Sequence, residues 1–132
     1  MPAQVNVVLL GLGVVGWGVA RALSERAEPY SRRIGATLNL RRVLVRDPEK
    51  ERPVKIDPRL LTVRPEEALS GDVDIVVELM GGEHPAYELI KDSLTRGRYV
   101  VTANKEVMAK HGPELLGLAA EKGVDILYEA SV

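Results

Sequence analysis

Gly11-Leu12-Gly13-Val14-Val15-Gly16 is the stretch whose reading decides the fold, because of what lies on either side of it. Upstream, Val5-Asn6-Val7-Val8-Leu9-Leu10 is a short apolar run. That is the pattern of a strand covered on both faces of a parallel sheet. Downstream, Val15, Val19 and Leu23 recur at helical spacing. Strand, glycine turn and helix together make a dinucleotide-binding motif of what would otherwise be a weak glycine match. Gly11 permits the tight turn, Gly13 lets backbone approach a pyrophosphate, and Gly16 lets the helix pack close. The helix N-terminus offers free N–H groups and partial positive charge to phosphates.

The same alternation continues outward. The first helix is expected from Val14 to about Glu28, since Pro29 restricts the residue before it. Ser31–Thr37 reads as a polar loop, Leu38–Val45 as the second strand, and Glu49–Pro58 as an exposed connection. Pro65–Leu69 reads as a short helix with proline and acids in its first turn. Asp74–Leu79 and Tyr99–Thr102 read as strands, and Pro85–Arg96 as a helix stopped by Gly97. Pro113–Lys122 is expected to be a helix stopped by Gly123, and Val124–Tyr128 a last strand. The expected architecture is α/β and Rossmann-like: a mostly parallel, doubly wound sheet with helices on both faces, in one domain spanning 1–132.

Bulk composition agrees and excludes little. The chain has 132 residues, 45% hydrophobic and 28% charged, with a net charge of −1 and no cysteine. That is enough for one domain with a core. It gives no disulfide framework and no charge-based reason to expect nucleic acid. No apolar run reaches the roughly 18 residues that would span a membrane, and no signal-peptide pattern opens the sequence. The expected compartment is the cytoplasm.

Ligands of such sheets bind beyond the carboxyl ends of the strands. Four loops fall there: Gly11–Gly16, Arg46–Asp47, Met80–Gly82 and Ala103–Lys105. Arg46 and Asp47 follow the second strand, where an acid would read the 2′-hydroxyl of NAD and an arginine the 2′-phosphate of NADP. Arg46 comes first after the strand and is the stronger candidate; a solvated charged turn is the alternative. Gly81 and Gly82 permit close approach of a bound cofactor, or simply make a strand-to-helix turn. Glu78 reads better as a strand end than as a ligand. Thr102 and Asn104 can orient a nicotinamide or a substrate polar group. Lys105 can hydrogen-bond a carbonyl oxygen or move a proton, although a loop lysine is more often only solvated. His84 and His111 are explained by helix ends and lack metal-ligand spacing. Trp17 and Tyr87 read as packing residues.

Four blocks taken together resemble the N-terminal half of homoserine dehydrogenase: Val8–Gly16, Val76–Gly82, Val101-Thr102-Ala103-Asn104-Lys105 and Tyr128-Glu129-Ala130-Ser131-Val132. The resemblance covers essentially the whole chain. It implies an NAD(P)-dependent oxidoreductase that interconverts L-homoserine and L-aspartate 4-semialdehyde, in the biosynthesis of threonine, methionine and isoleucine. It places Gly11, Gly13, Val14, Val15 and Gly16 at the pyrophosphate and Arg46 at the adenosine ribose or its phosphate. Gly81 and Gly82 would line the cofactor cleft, Thr102 and Asn104 would lie near the nicotinamide, and Lys105 would assist proton transfer at the substrate. Glu129 and Val132 would begin a loop binding a monovalent cation (Na+ or K+), Val132 through its carbonyl. In homologues this segment continues into a glycine-rich loop and a substrate and dimerisation domain carrying an Asp and a second Lys. The 132 residues are therefore expected to bind NADP or NAD without turnover, within a parent that is a homodimer. The competing expectations are a stand-alone NAD(P)-sensing module and another amino-acid or semialdehyde dehydrogenase.

Overall fold

The computed structural model describes residues 3–13, 16, 18–20, 36–49 and 56–128. Val14, Val15, Trp17, Glu129 and Val132 lie outside the described residues, as does most of the expected first helix. Six strands form one sheet: β1 (Ala3–Leu10), β2 (Ala36–Leu44), β3 (Leu61–Thr62), β4 (Ile75–Glu78), β5 (Tyr99–Thr102) and β6 (Ile126–Tyr128). Their order is β3-β2-β1-β4-β5-β6, and every pairing is parallel. Three helices carry bounds among the described residues: α1 (Pro65–Ala68), α2 (Ala86–Thr95) and α3 (Lys105–Lys122), with a single 3-10 turn at Pro58–Leu60.

The apolar run of β1 takes the centre of the sheet for the reason that made it recognisable. Successive side chains point to opposite faces. Val8 and Leu10 enter one core, with Val76, Ile90, Leu94, Val100 and Leu115. Val7 and Leu9 enter the other, with Leu40 and Val43. Within the sheet β1 pairs with β2 on one side and β4 on the other. The chain reverses its direction of travel across the sheet between those two neighbours, which leaves a crevice at their carboxyl ends.

α2 buries Ala86, Ile90, Ser93 and Leu94, one helical stripe, and Arg96 and Gly97 close it, Gly97 with φ +78°. α3 differs from expectation. It begins at Lys105, not Pro113, and carries Pro113 within it. The Asn104 side chain accepts from the Val107 N–H at 3.0 Å and so caps the helix eight residues earlier. Proline removes one internal hydrogen bond. Burial of Val107, Leu115 and Ala119 on a common face outweighs that loss. Gly123 ends α3 at φ +71°, as its position predicts. β3, with two residues, was not anticipated; it pairs Leu61 with Val43 and Thr62 with Leu44.

At the far edge of the sheet Val100 and Ile126 point towards α2 and α3. The alternate residues Tyr99, Val101 and Leu127 point the other way and are exposed. Among the described residues, no helix is long and apolar enough to cross a membrane.

Candidate functional site

The glycine turn leaves the end of β1 and is tied down at once. Gly11 N–H donates to the Leu44 carbonyl at 2.9 Å, and Leu79 N–H donates to the Leu10 carbonyl at 2.9 Å. Gly11 has φ +104°, and a Cβ there would lie 3.2 Å from the Leu79 carbonyl carbon and oxygen. A side chain is thus refused both by conformation and by space. A Cβ on Gly16 would lie 3.0 Å from the Gly11 carbonyl oxygen, so the helical residue Gly16 packs tightly on the glycine loop itself. Gly13 is different. A Cβ on it would meet nothing within 4 Å. Among the described residues no atom explains that glycine.

Gly13 lines a cleft of about 730 Å³ over the carboxyl ends of the central strands. Ligand pockets run from roughly 300 to 1,000 Å³. Of the residues singled out by sequence, Gly11, Gly13, Arg46, Asp47 and Gly81 line it. Val63, Pro65, His84 and Pro85 line it too and were not anticipated. Val63 and Pro65 reach the cleft only because the two-residue β3 joins the sheet edge, and a strand that short carries no periodic signal.

Arg46 is exposed at the cleft wall just past β2. The neighbouring Asp47 accepts the Glu49 N–H at 2.9 Å, a local turn bond. One of its acceptor oxygens is therefore engaged by its own loop, whereas Arg46 projects from the wall.

Gly82, Thr102, Asn104 and Lys105 do not line this cleft. They gather beside it at the ends of β4 and β5. Thr102 and Asn104 are buried. Both turn towards Glu78, which donors approach from two loops: Met80 N–H at 2.9 Å, Gly81 N–H at 3.2 Å, the Thr102 hydroxyl at 2.5 Å and Asn104 Nδ2 at 3.4 Å. Asn104 Nδ2 also donates to the Gly82 carbonyl at 2.7 Å. The polar side chains of these loops thus bind the loops to one another. Lys105, the first residue of α3, is exposed.

A second polar group lies on the outer surface of α2 and α3. Glu83 accepts from Lys110 Nζ at 2.8 Å and lies 2.8 Å from His111 Nε2. The two contacts hold its carboxyl at about 2, far below the usual 4.5, Lys110 contributing most. His111 lies in the middle of α3, not near a helix end, and stacks on Tyr87 with ring centroids 3.8 Å apart. Tyr87 donates its hydroxyl to Glu114 at 2.7 Å, which pushes its own ionisation upward. His84 contacts Glu88 at 2.6 Å. No group of three or more His, Cys, Asp or Glu able to hold a metal occurs among the described residues.

The profile of the family described as homoserine dehydrogenase, NAD binding domain, matches residues 11–129. The chain belongs to that family. It is 40% identical over 129 residues to homoserine dehydrogenase of Bacillus subtilis, covering 97% of this chain and 30% of that one. With the Mycobacterium tuberculosis enzyme the identity is 44% over 129 residues, 97% of this chain and 29% of the other. The fold superposes on the Staphylococcus aureus homoserine dehydrogenase at pH 7.5 with TM-score 0.91 and 38% identity, covering 100% of this chain and 33% of that one. A hyperthermophilic archaeal homoserine dehydrogenase, in complex with NADPH, matches with TM-score 0.71 and 27% identity over 98% of this chain and 44% of its own. The chain spans about 30% of the length of the curated relatives it matches.

Proposed function

We propose that this chain is the cofactor-binding part of an NAD(P)-dependent homoserine dehydrogenase, and that the cleft between Gly13 and Arg46 takes NADP or NAD. Gly13 carries the reading: it lines the cleft, and among the described residues nothing lies within 4 Å of a Cβ placed on it. The residues present suit a dinucleotide. The Gly11–Gly13 backbone and the helical turn at Gly16 suit a pyrophosphate. Arg46 suits a 2′-phosphate, which it would meet as a charge-assisted contact. Gly81 lets the far end of the cofactor lie against backbone.

A bound nicotinamide would give a hydride to L-aspartate 4-semialdehyde, or take one from L-homoserine, in one step of amino-acid biosynthesis. The chain's own residues bind and position. Lys105 Nζ, exposed at the start of α3, would hold or pass the proton at the substrate oxygen. Gly82, Thr102 and Asn104 set where that lysine stands. The whole enzyme is a cytoplasmic homodimer acting on this small molecule. Glu129 and Val132, outside the described residues, would contribute to a monovalent-cation loop in the longer protein.

Titration calorimetry with NADPH and NADH tests the reading. The 132-residue chain is expected to bind both weakly. Gly13→Val places a branched side chain where the pyrophosphate approaches. Among the described residues nothing stands within 4 Å of that Cβ, so the fold should survive while binding is lost. Equal affinity in the folded variant would overturn the assignment.

A further inference from the structure

The buried carboxyl group of Glu78 has no part in the function described so far, and it is the point where two loops meet. Its side chain is almost fully buried at the end of β4. Oε2 accepts the N–H groups of Met80 and Gly81, at 2.9 and 3.2 Å, and so folds the turn that follows its own strand. Oε1 accepts the Thr102 hydroxyl from the neighbouring strand, 24 residues away. Thr102 Oγ1 in turn accepts the Asn104 N–H at 3.0 Å. Asn104 spends its two side-chain groups in opposite directions, donating to the Gly82 carbonyl at 2.7 Å and capping α3 through Val107 N–H at 3.0 Å.

A chain of bonds therefore runs from the cleft-lining Gly81, through Glu78, Thr102 and Asn104, to the first turn of α3, where Lys105 stands. All the donors around Glu78 point at it, and a carboxylate can accept from all of them at once. A glutamine cannot: its amide would turn a donor towards Thr102 or towards the Met80 and Gly81 N–H groups. Buried networks of this kind hold a unique arrangement only when every member is satisfied.

We infer that Glu78 is a positioning residue: it sets the Met80–Gly82 turn at the cofactor cleft and the start of α3 in one fixed relation, so that Gly81 at the cofactor and Lys105 at the substrate are held in register with each other. The inference rests on the reading that the cleft takes NAD(P). A residue that served stability alone would lower the melting temperature and leave the affinity of the folded molecules as it was. A positioning residue changes affinity in molecules that remain folded.

The test uses Glu78→Gln, Thr102→Val and the double variant of the 132-residue chain, with melting temperature, NADPH affinity by calorimetry, and the amide resonances of Gly81 and Lys105 as readouts. Each single variant, folded, is expected to bind NADPH at least fivefold more weakly and to shift both amides. The double variant should bind no more weakly than the worse single variant, because both changes break the same bond. Unchanged affinity with a lowered melting temperature would overturn the inference, as would losses that simply multiply. If Glu78→Gln does not fold, Thr102→Val decides alone, since it leaves the Met80 and Gly81 bonds in place; unmoved amides at Gly81 and Lys105 would overturn the inference. If the unaltered chain binds no NADPH, the reading of the cleft fails, and the two amides still report whether Glu78 couples the loops.

Discussion

Gly13 and Arg46 show how differently two residues of one cleft can be read. Gly13 is informative through what it does not touch: it lines the cleft, and among the described residues nothing lies within 4 Å of a Cβ placed on it. Arg46 is informative through its surroundings. Asp47 beside it is drawn into a turn with Glu49, so the acid and the base at this position are not equivalent. If Arg46 meets a 2′-phosphate, Arg46→Ala should weaken NADPH binding more than NADH binding. Hydrogen bonds to charged groups contribute about 1.5–3 kcal/mol, or roughly 10- to 150-fold in affinity. Paired titrations with the two cofactors check this, and an unchanged ratio would place the discrimination elsewhere. The unaltered chain, carrying both Arg46 and Asp47, is expected to accept both cofactors.

At the scale of elements, α2 and α3 are joined on the inside by apolar packing and on the outside by the Glu83 group. Ile90, Leu94, Leu115 and Ala119 share one core. Glu83, just before α2, bonds to Lys110 and contacts His111 on α3. Its carboxyl ionises at about 2 in the folded protein instead of 4.5. A carboxylate held down in this way stabilises the fold above its unfolded value, and the stabilisation is lost as pH falls from about 4.5 to about 2. Urea midpoints should therefore decline through this window. Glu83→Gln should lower the midpoint at pH 6 and flatten the decline below pH 4.5. A variant with the same acid slope as the unaltered chain would show that Glu83 gains nothing from Lys110 and His111 in solution. The same element pair explains why α3 is longer than its sequence suggests. Pro113 reads locally as a start, but the Asn104 cap and the buried Val107 already precede it.

For the whole molecule, the sheet brings the glycine turn, Arg46 and Gly81 to one cleft and leaves Lys105 beside it on the start of α3. Cofactor binding is thus expected of the 132 residues. Turnover is not expected of them. Correct positioning of substrate can account for ~7–11 kcal/mol of a barrier, and this chain spans about 30% of the relatives that share its sequence. Steady-state assays with homoserine and NADP should give no meaningful rate for the chain alone. In a longer homoserine dehydrogenase containing this segment, Lys105→Ala should lower turnover by roughly 10²–10⁴-fold, the scale of a positioned acid–base group. Cofactor affinity there should change little. Near-normal turnover would reduce Lys105 to a solvated lysine.

The sequence by itself determined the class of fold, the central strand and the glycine turn, because each rests on local rules. An apolar run of β1 type fits a strand covered on both faces of a parallel sheet, and the turn needs glycines at set spacing. Gly97 and Gly123 ended helices for the same local reason. Only the tertiary structure decided the rest. β3 exists because Leu61 and Thr62 find β2, a pairing too short to leave a pattern. Thr102 and Asn104, legible as polar groups near a ligand, turn inward because Glu78 waits at the end of the adjacent strand. Glu78 itself read as a mere strand end, since its side-chain partners Thr102 and Asn104 lie 24 and 26 residues further along the chain. Contacts at that separation have no periodicity; they appear only when parallel strands are set side by side.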